Sequence, residues 1–285
     1  MQTSLPPSFR TTPQGKTADA ILRKCVHCGL CTASCPTYRL LGDERDSPRG
    51  RIYLIKDMLE TGTAHPAVRV HLDRCLLCRA CETACPSGVE YGRLFEIGRQ
   101  ELEQRIARPL LERWVRRALR MTLPYPRRVQ HLTQLARILR PLMPRKYRDN
   151  LPLAPPAVAH GWPPPQHRRT MLLLEGCVQP VLAPAINTAA ARVFDYLGIT
   201  AVSARGCCGA LSYHLSAVDE ARGFMRGNID RWWPVLARGA EALVITASGC
   251  GAMVRDYGDL LRGDPHYAAK AARVYPRWPA IRAKC

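Results

Sequence analysis

The sequence predicts a mixed, helix-rich protein in which an α-helical, cysteine-rich module is followed by an α/β domain. The first region, residues 19–100, holds eight of the 13 cysteines in two copies of one pattern. The second, residues 169–258, alternates short apolar runs with helical patterns, which is typical of α/β domains. The 285 residues are enough for two modest domains with separate cores.

Composition divides the chain into segments and predicts one well-defined helix. Within the cysteine module, Ser47 can cap a helix, Pro48 suits its first turn and Gly62 can end it. Prolines punctuate the region that separates the module from the α/β domain. The predicted segments are a flexible N-terminal extension (1–18), the cysteine module (19–100), a basic helical linker (101–168), the α/β domain (169–258) and a C-terminal tail (259–285).

Charge and cysteine content restrict the compartment and the partners. The N-terminus lacks the apolar core of a signal peptide, and no run reaches the roughly 18 apolar residues of a membrane span. We therefore expect a reducing cytoplasm, where clustered cysteines indicate metal or redox chemistry. The net charge of +19, much of it between residues 105 and 148, suits nucleic acid, an anionic membrane surface or an acidic protein.

The two cysteine runs have the spacing of a two-cluster ferredoxin. Each reads C-x2-C-x2-C-x3-C-P, as "CVHCGLCTASCP" and "CLLCRACETACP". Three closely spaced thiolates can hold one [4Fe–4S] cluster, while the fourth cysteine reaches the other cluster. Zinc sites need neither this three-plus-one spacing nor the prolines. The predicted ligand sets are Cys25, Cys28, Cys31 and Cys85 for one cluster, and Cys75, Cys78, Cys81 and Cys35 for the other. Beside these runs, His27, Tyr38 and Tyr91 are predicted to pack near the sulfurs rather than to bind metal, since the cysteines complete both sets.

The α/β domain brings a second group of cysteines to the ends of its predicted strands. "RTMLLLEGC", "TAVSARGCC" and "ALVITASGC" are each a strand pattern that ends in cysteine, with helical segments 185–197 and 219–236 between them. In a parallel sheet these strand ends lie along one edge, where ligands bind. We therefore predict a further redox or metal site, with inert buried thiols as the alternative. Its residues are Cys177, Cys207, Cys208 and Cys250. His214 is predicted to be an ordinary core or surface histidine, and Trp232 and Trp233 are predicted to belong to the core.

The chain resembles the glycolate oxidase iron–sulfur subunits of the heterodisulfide reductase-type family. The likeness is carried by the two cysteine runs with "SPRGRIYLIK", and by "LEGCVQP", "RGCCGALSYHL", "NIDRWWP" and "TASGCGAMVRDYG". It implies an α-helical ferredoxin-like module followed by an α/β CCG (cysteine-rich) domain. It also implies an electron-transfer subunit without a substrate site, which takes electrons from FAD-containing subunits that oxidise glycolate to glyoxylate. Those electrons would pass to a quinone or another acceptor, on the inner face of the cytoplasmic membrane.

Two departures from the family pattern modify that expectation. Related sites end in C-x-x-C, whereas here Cys250 is followed at the corresponding position by Met253, which argues against a third cluster. Family members carry two CCG domains, and this chain shows one, with Cys285 in a tail that does not resemble the start of another. The sequence therefore predicts a truncated or frameshifted product, or a fragment.

Several alternatives remain open at this point. The equivalent subunit of a lactate, glycerol-3-phosphate or heterodisulfide oxidoreductase has the same overall pattern. An iron–sulfur protein that binds nucleic acid is less favoured, because the basic segment lacks regularly spaced aromatic residues and a known reader motif. The basic helices "LLERWVRRALR" and "LTQLARILRPLM" could instead lie on an anionic membrane surface or dock the flavin subunits.

Overall fold

The structure is a computed structural model that describes residues 1–149 and 161–274. Its contacts divide the chain into two compact units, Met1–Glu112 and Arg113–Cys285. Each unit is helix-rich, and a three-stranded sheet lies in the second. The mixed, helix-rich class predicted from the sequence is confirmed. No helix in the described ranges combines the length and the apolar character needed to span a bilayer.

Unit 1 is helical throughout its regular structure. Five of its helices begin with a proline, whose fixed φ and missing N–H suit the first helical turn. Its elements are α1 (Pro7–Arg10), α2 (Pro13–Lys24), α3 (Pro36–Leu41), a 3₁₀ turn (Glu44–Asp46), α4 (Pro48–Thr61), α5 (Pro66–Asp73), α6 (Ala80–Thr83) and α7 (Tyr91–Arg105).

The predicted helix between the cysteine runs is confirmed as α4. Ser47 Oγ accepts a hydrogen bond from the Gly50 N–H at the start of this helix, and Gly62 adopts a left-handed φ of 73° just after its end. Its apolar face packs against α7, where Ile55 meets Gly98 so closely that a Cβ there would lie 2.7 Å from the isoleucine. The core of unit 1 thus lies directly behind the two cysteine runs.

The expectation of a flexible extension over residues 1–18 is corrected by the structure. These residues form α1 and the first half of α2, and Leu5 is buried in the core of unit 1. The N-terminal ammonium of Met1 donates to the carbonyl oxygen of Cys25 at 2.6 Å. The stretch is rich in proline and polar residues, so its composition did not indicate that Leu5 is buried or that a helix begins at Pro13.

Unit 2 combines a parallel sheet with helices. From α8, which begins three residues before the unit boundary, its elements are α8 (Leu110–Thr122), α9 (Pro126–Ile138), a 3₁₀ turn (Arg140–Leu142), α10 (Arg145–Arg148), β1 (Arg169–Gly176), α11 (Gln179–Leu182), α12 (Pro184–Tyr196), β2 (Ile199–Arg205), α13 (Ala210–His214), α14 (Val218–Ala237), β3 (Leu243–Ile245), α15 (Ser248–Arg255), α16 (Tyr257–Leu260) and α17 (Ala268–Val274). The role of residues 101–168 as a linker stays a prediction.

The sheet confirms the predicted parallel arrangement. Its strand order is β2-β1-β3, and Leu172 of β1 aligns with Val202 of β2 and with Leu243 of β3. All three strands run in the same direction, so their carboxyl ends share one edge. The helices predicted between the strands are present as α12 and α14.

The α/β domain continues beyond residue 258, where the predicted tail was expected to begin. Leu261, Ala271 and Val274 are buried in the same core as Trp232. The helical turn α16 and helix α17 therefore close the domain rather than follow it. Residues 275–285, with Cys285, lie outside the described residues.

Candidate functional site

The eight cysteines of unit 1 line two hollows. The first hollow is lined by one complete predicted set: Cys25, Cys28, Cys31 and Cys85. The second hollow is lined by the other set: Cys35, Cys75, Cys78 and Cys81. In each hollow three cysteines come from one run and one from the other run, and Cys81 also borders the first hollow. All eight are free thiols.

The two runs have matching backbone conformations. Two and four residues after the first cysteine of each run, φ is positive: at His27 (57°) and Gly29 (84°), and at Leu77 (51°) and Arg79 (57°). Such alternation turns successive backbone N–H groups toward one side and forms a concave site for anions, including iron–sulfur clusters. Three of these four residues are not glycine, so an uncommon conformation is held twice at equivalent positions. This backbone fits a [4Fe–4S] cluster in each hollow.

Buried groups surround the sulfurs. Burial raises the pKa of Cys31, Cys75 and Cys81, so cluster binding has to stabilise their thiolates. Tyr91 is fully buried, its hydroxyl lies 3.4 Å from Cys75 Sγ, and its side chain borders both hollows. His27 Nδ1 lies 3.8 Å from Cys25 Sγ. Both contacts agree with the predicted packing roles.

The third neighbouring residue, Tyr38, is half-buried in α3 and is not among the lining residues of either hollow.

A buried polar network beside Cys35 was not predicted. Arg51, on the buried face of α4, donates from Nε to the His71 carbonyl oxygen at 2.7 Å and from Nη2 to Asp46 Oδ1 at 3.3 Å. Its Nη1 lies 3.1 Å from Thr37 Oγ1 and 4.0 Å from Cys35 Sγ. A charged residue among the apolar side chains Ile52 and Ile55 was the sequence signal for this network.

The same network explains a group of candidate metal ligands. Asp43, Asp46 and His71 offer ligand atoms within 4.8 Å of one another. Asp46, however, already accepts hydrogen bonds from Arg51 and, at 2.8 Å, from Arg74. These guanidinium groups neutralise the carboxylate, so the group is an ion-pair network and not a cation site.

The four cysteines of unit 2 meet at the carboxyl edge of the sheet, as predicted. Cys208 Sγ donates to Cys250 Sγ at 3.1 Å, and Cys177 and Cys207 extend the hydrogen-bonded chain from the other end. The bond to Cys207 and burial raise the pKa of Cys177. Although hydrogen bonds from the preceding thiols lower the pKa of Cys207 and Cys208, bonds to the next sulfur and burial raise each to about 12. Cys250 accepts the last hydrogen bond of the chain, which lowers its pKa. Of the four thiols it is therefore the most readily deprotonated.

Two residues that sequence reasoning missed hold the tandem cysteines in place. Asn228 Nδ2 donates to the Cys207 carbonyl oxygen at 2.7 Å and to Tyr257 Oη at 3.0 Å. Tyr257 Oη donates in turn to the Cys208 carbonyl oxygen at 2.9 Å. The Tyr257 ring stacks on Trp232 with an interplanar angle of 4°. The backbone of the site is therefore fixed from the core, by residues whose role depends on tertiary contacts.

The remaining predictions for unit 2 have mixed outcomes. Trp232 lies in the core as predicted, but Trp233 is half-buried, with Lys270 and Arg273 over its ring. His214 is half-buried beside Tyr213, as expected of an ordinary histidine. Met253 packs into the core. The donor set at this edge therefore consists of four thiols, which suits zinc or an iron–sulfur centre.

Comparisons with known proteins agree with both sites. Residues 21–89 match the 4Fe-4S dicluster domain, and residues 171–255 match the Cysteine-rich domain. The glycolate oxidase iron-sulfur subunit of Escherichia coli (strain K12) is 52% identical over 276 residues, which cover 96% of this chain and 68% of the relative. The probable glycolate oxidase iron-sulfur subunit of Bacillus subtilis (strain 168) is 30% identical over 88% of this chain and 62% of its own length.

More distant similarity extends to a related class of reductases. A component of the dihydromethanophenazine:CoB–CoM heterodisulfide reductase of Methanosarcina mazei is 25% identical over 80% of this chain and 56% of the relative. No solved structure matches the chain. The paired cysteine runs, the thiol site at the sheet edge and the identity to these relatives lead to one assignment: the chain belongs to the family of glycolate oxidase iron–sulfur subunits.

Proposed function

We propose that this chain is the electron-transfer subunit of a glycolate dehydrogenase, an oxidoreductase that acts on a CH–OH group. The single observation that carries the proposal is the pair of hollows, each lined by three cysteines of one run and the last cysteine of the other. The similarity to glycolate oxidase iron-sulfur subunits supports the substrate system.

The cysteines have separate roles in this proposal. Cys25, Cys28, Cys31 and Cys85 hold one [4Fe–4S] cluster, and Cys75, Cys78, Cys81 and Cys35 hold the other. Bound clusters of this type accept and pass on single electrons. The buried Tyr91 and the apolar core behind the runs exclude water from the inner side of the sulfurs. Exchange of the fourth ligand ties the two runs together.

The partners follow from the division of labour in such a complex. FAD-containing subunits oxidise glycolate to glyoxylate and deliver electrons to this chain, which passes them toward a quinone or another acceptor. The chain itself binds no substrate in this proposal, because the hollows are lined by sulfur ligands.

The test uses the full chain, reconstituted under argon, with and without the flavin subunits. With glycolate and the flavin subunits present, we expect bleaching of the cluster absorbance; with glycolate alone, none. Lactate, glycerol-3-phosphate and a thiol pair serve as parallel substrates, each tested with the same flavin subunits. Lactate is included because 100 residues of this chain are 27% identical to lactate utilization protein A of Bacillus cytotoxicus. Reduction by glycolate without flavin subunits would contradict the proposal.

The four thiols of unit 2 form a second site in this proposal. A chain of hydrogen-bonded thiols with one lowered pKa at Cys250 is suited to bind a soft metal ion or to take part in redox chemistry. Three strand ends place the sulfurs together without a fifth thiol, so the proposed electron path requires only the two clusters of unit 1. Metal analysis of Cys208→Ser tests this: loss of zinc, or of iron beyond the two clusters, is expected.

We also propose that the complex works in the cytoplasm, at the inner face of the membrane, and that α8 contacts anionic lipid. On this helix Glu112, Arg116 and Arg120 face inward, and Arg120 pairs with Glu220 at 2.7 Å. The opposite face exposes the apolar side chains Leu110, Leu111 and Trp114. Val115 and Leu119 are exposed at the border of this face, on the side of Glu112. An exposed apolar face with tryptophan, flanked by arginines, is typical of helices at a lipid interface.

Flotation with vesicles tests this surface. The wild-type chain is expected to float with vesicles that contain anionic lipid and not with neutral ones, and Trp114→Glu is expected to stay in the soluble fraction. If wild-type protein does not float but the variant no longer binds the flavin subunits, the surface is a protein interface. Tight, salt-sensitive binding of a DNA duplex would revive the nucleic-acid alternative.

A further inference from the structure

The two hollows differ in the charges built around them. In the second hollow, the lining charged side chains are Arg51 and Arg79. Arg51 is only 1% exposed, and its guanidinium lies 4.0 Å from Cys35 Sγ. A buried charge is poorly screened by solvent, so its effect on a neighbouring group is large.

Arg51 shares its buried counter-ion, Asp46, with Arg74. Asp46 is fully buried and accepts from Arg51 Nη2, but Arg74 binds its second carboxylate oxygen at 2.8 Å. His71 Nδ1 lies 3.1 Å from the first oxygen. The neighbouring Asp43 carboxylate is paired with Arg45 at 2.7 Å. Two arginines therefore face the one buried carboxylate, and the network beside Cys35 carries a net positive charge.

The first hollow has a weaker counterpart. Its lining arginine is Arg49, whose side chain is 37% exposed and pairs with Glu44 at 2.8 Å. The pair is neutral overall and in contact with solvent, where an ion pair has little effect. The Met1 ammonium near this hollow donates to backbone carbonyl oxygens, that of Cys25 at 2.6 Å, and is not among the lining residues. The final cysteine of the second run, Cys85, is followed by Ser87 at the place where Thr37 follows Cys35.

We propose that Arg51 makes the cluster of the second hollow the more easily reduced of the two, and that Asp46 limits this effect. The inference rests on the proposed function, because it presupposes a cluster in each hollow. Uptake of one electron, without a proton, adds one negative charge to a cluster. A buried cation beside a ligand sulfur stabilises that added charge and raises the midpoint potential. Electrons that enter the chain therefore collect in the second hollow.

Arg51 acts here as a positioning and charge-bearing residue. It connects the α5 carbonyl of His71, Thr37 of α3 and Asp46 of the 3₁₀ turn, and so holds Cys35 Sγ toward the hollow. A purely structural role and an electrostatic role can be separated by two substitutions. Replacing Arg51 removes a positive charge and replacing Asp46 removes a negative one, so an electrostatic role shifts the midpoint potential in opposite directions. Loss of structure shifts it in the same direction in both variants.

The experiment is an EPR-monitored dithionite titration of the full chain, reconstituted under argon and checked for iron content. Cys78→Ser, at a ligand of the second hollow alone, identifies which signal belongs there. Arg51→Gln is expected to lower the equilibrium constant for one-electron reduction of that cluster by tenfold or more. A tenfold change lowers its midpoint potential by about 59 mV. Asp46→Asn is expected to raise the same potential, and Arg51→Lys to keep it near the wild-type value. Arg49→Gln, the matched change at the first hollow, is expected to shift neither cluster appreciably.

The outcomes distinguish this inference from the proposed function. A wild-type chain without two clusters would remove the proposed function itself. Two intact clusters with the lower potential in the second hollow, or with Arg51→Gln and Asp46→Asn shifted in the same direction, would overturn only the inference. If both buried variants lose the cluster, Arg74→Gln decides, at a side chain that is 45% exposed: it leaves Arg51 as the arginine that pairs with Asp46, so the potential of the second-hollow cluster is expected to fall, and a potential unchanged from wild type overturns the proposal.

Discussion

The cysteines of unit 1 and those of unit 2 form two sites by different routes. In unit 1 the ligands lie within runs of eleven residues, and residues in left-handed conformations turn each run around its hollow. In unit 2, by contrast, Cys177 and Cys250 are 73 positions apart in the sequence, and only the parallel sheet brings them to one edge. The first site is therefore encoded locally, whereas the second depends on the domain around it.

The largest expected effect follows from the exchanged ligand in unit 1. Cys85→Ser is expected to remove the cluster of the first hollow and to lower the iron content from about eight to about four per chain, since each cluster holds four irons. Cys208→Ser is expected to leave those eight irons in place. Iron analysis and EPR of both variants make the comparison. Loss of the second-hollow signal in Cys85→Ser, with the first retained, would show that the ligands are not exchanged.

The sequence predicts the unit 1 site more completely than the unit 2 site, because the unit 1 ligands are close in sequence and the unit 2 thiols are not. The spacing within each run predicted which three of its cysteines share a hollow, because short-range geometry decides it, and the repeat of the pattern predicted that the fourth comes from the other run. The strand patterns predicted that Cys208 and Cys250 meet, because parallel strands end at one edge. Asn228 could not be predicted, because its partners, the Cys207 carbonyl oxygen and the Tyr257 hydroxyl, come together only in the packed domain.

Residues 1–18 and 259–274 show the same limit at the domain edges. Residues 1–18 have a loop-like composition, and Gly263 and Pro265 interrupt residues 259–274, yet Leu5 and Val274 are buried in the cores of their units. A short or interrupted apolar pattern has too weak a period to indicate a helix. Its order comes from the surface against which it packs, and that surface is known only once the rest of the domain is folded.

Dependence on the domain can be tested at the residues that hold the tandem cysteines. Asn228→Ala removes the buried donor of the Cys207 carbonyl oxygen and one of the two hydrogen bonds of the Tyr257 hydroxyl, which is expected to destabilise unit 2 by about 2–3 kcal/mol. Calorimetry should show a lower unfolding temperature for unit 2, while the cluster absorbance of unit 1 is lost at an unchanged temperature.

The matched control for this change is Tyr267→Phe. Its hydroxyl donates to Asp230 at an exposed position, so the loss should be small. Equal destabilisation by both variants would mean that the buried hydrogen bonds to the tandem cysteines contribute no more to stability than an exposed one. A simultaneous loss of the unit 1 clusters would show that the two units do not unfold separately.

A smaller effect is expected at the cap of α4. Ser47→Ala removes the acceptor of the Gly50 N–H and a hydroxyl bonded to Glu44, and is expected to lower the free energy of unfolding of unit 1 by about 1–2 kcal/mol. Urea denaturation of the chain, followed by the cluster absorbance, measures it. Ser47→Thr, which retains the hydroxyl at the cap, is expected to recover part of the loss; no difference between the two variants would argue against capping as the cause.

The smallest effects compare one helix of each unit and differ in sign. In unit 1 a Cβ at Gly98 would lie 2.7–2.9 Å from three side-chain atoms of Ile55, so α4 and α7 would have to separate. Overpacking outweighs the helix preference of alanine, and Gly98→Ala is expected to destabilise unit 1 by about 1 kcal/mol. In unit 2 no atom lies within 4 Å of the Cβ position of Gly223 in α14, so Gly223→Ala is expected to stabilise its unit by about 0.5–1 kcal/mol. Ile55→Ala removes all three of these atoms, so Gly98→Ala should be less destabilising in the Ile55→Ala background than in the wild type; an equal loss in both backgrounds would mean that the close approach of α4 and α7 is not what disfavours a side chain at position 98.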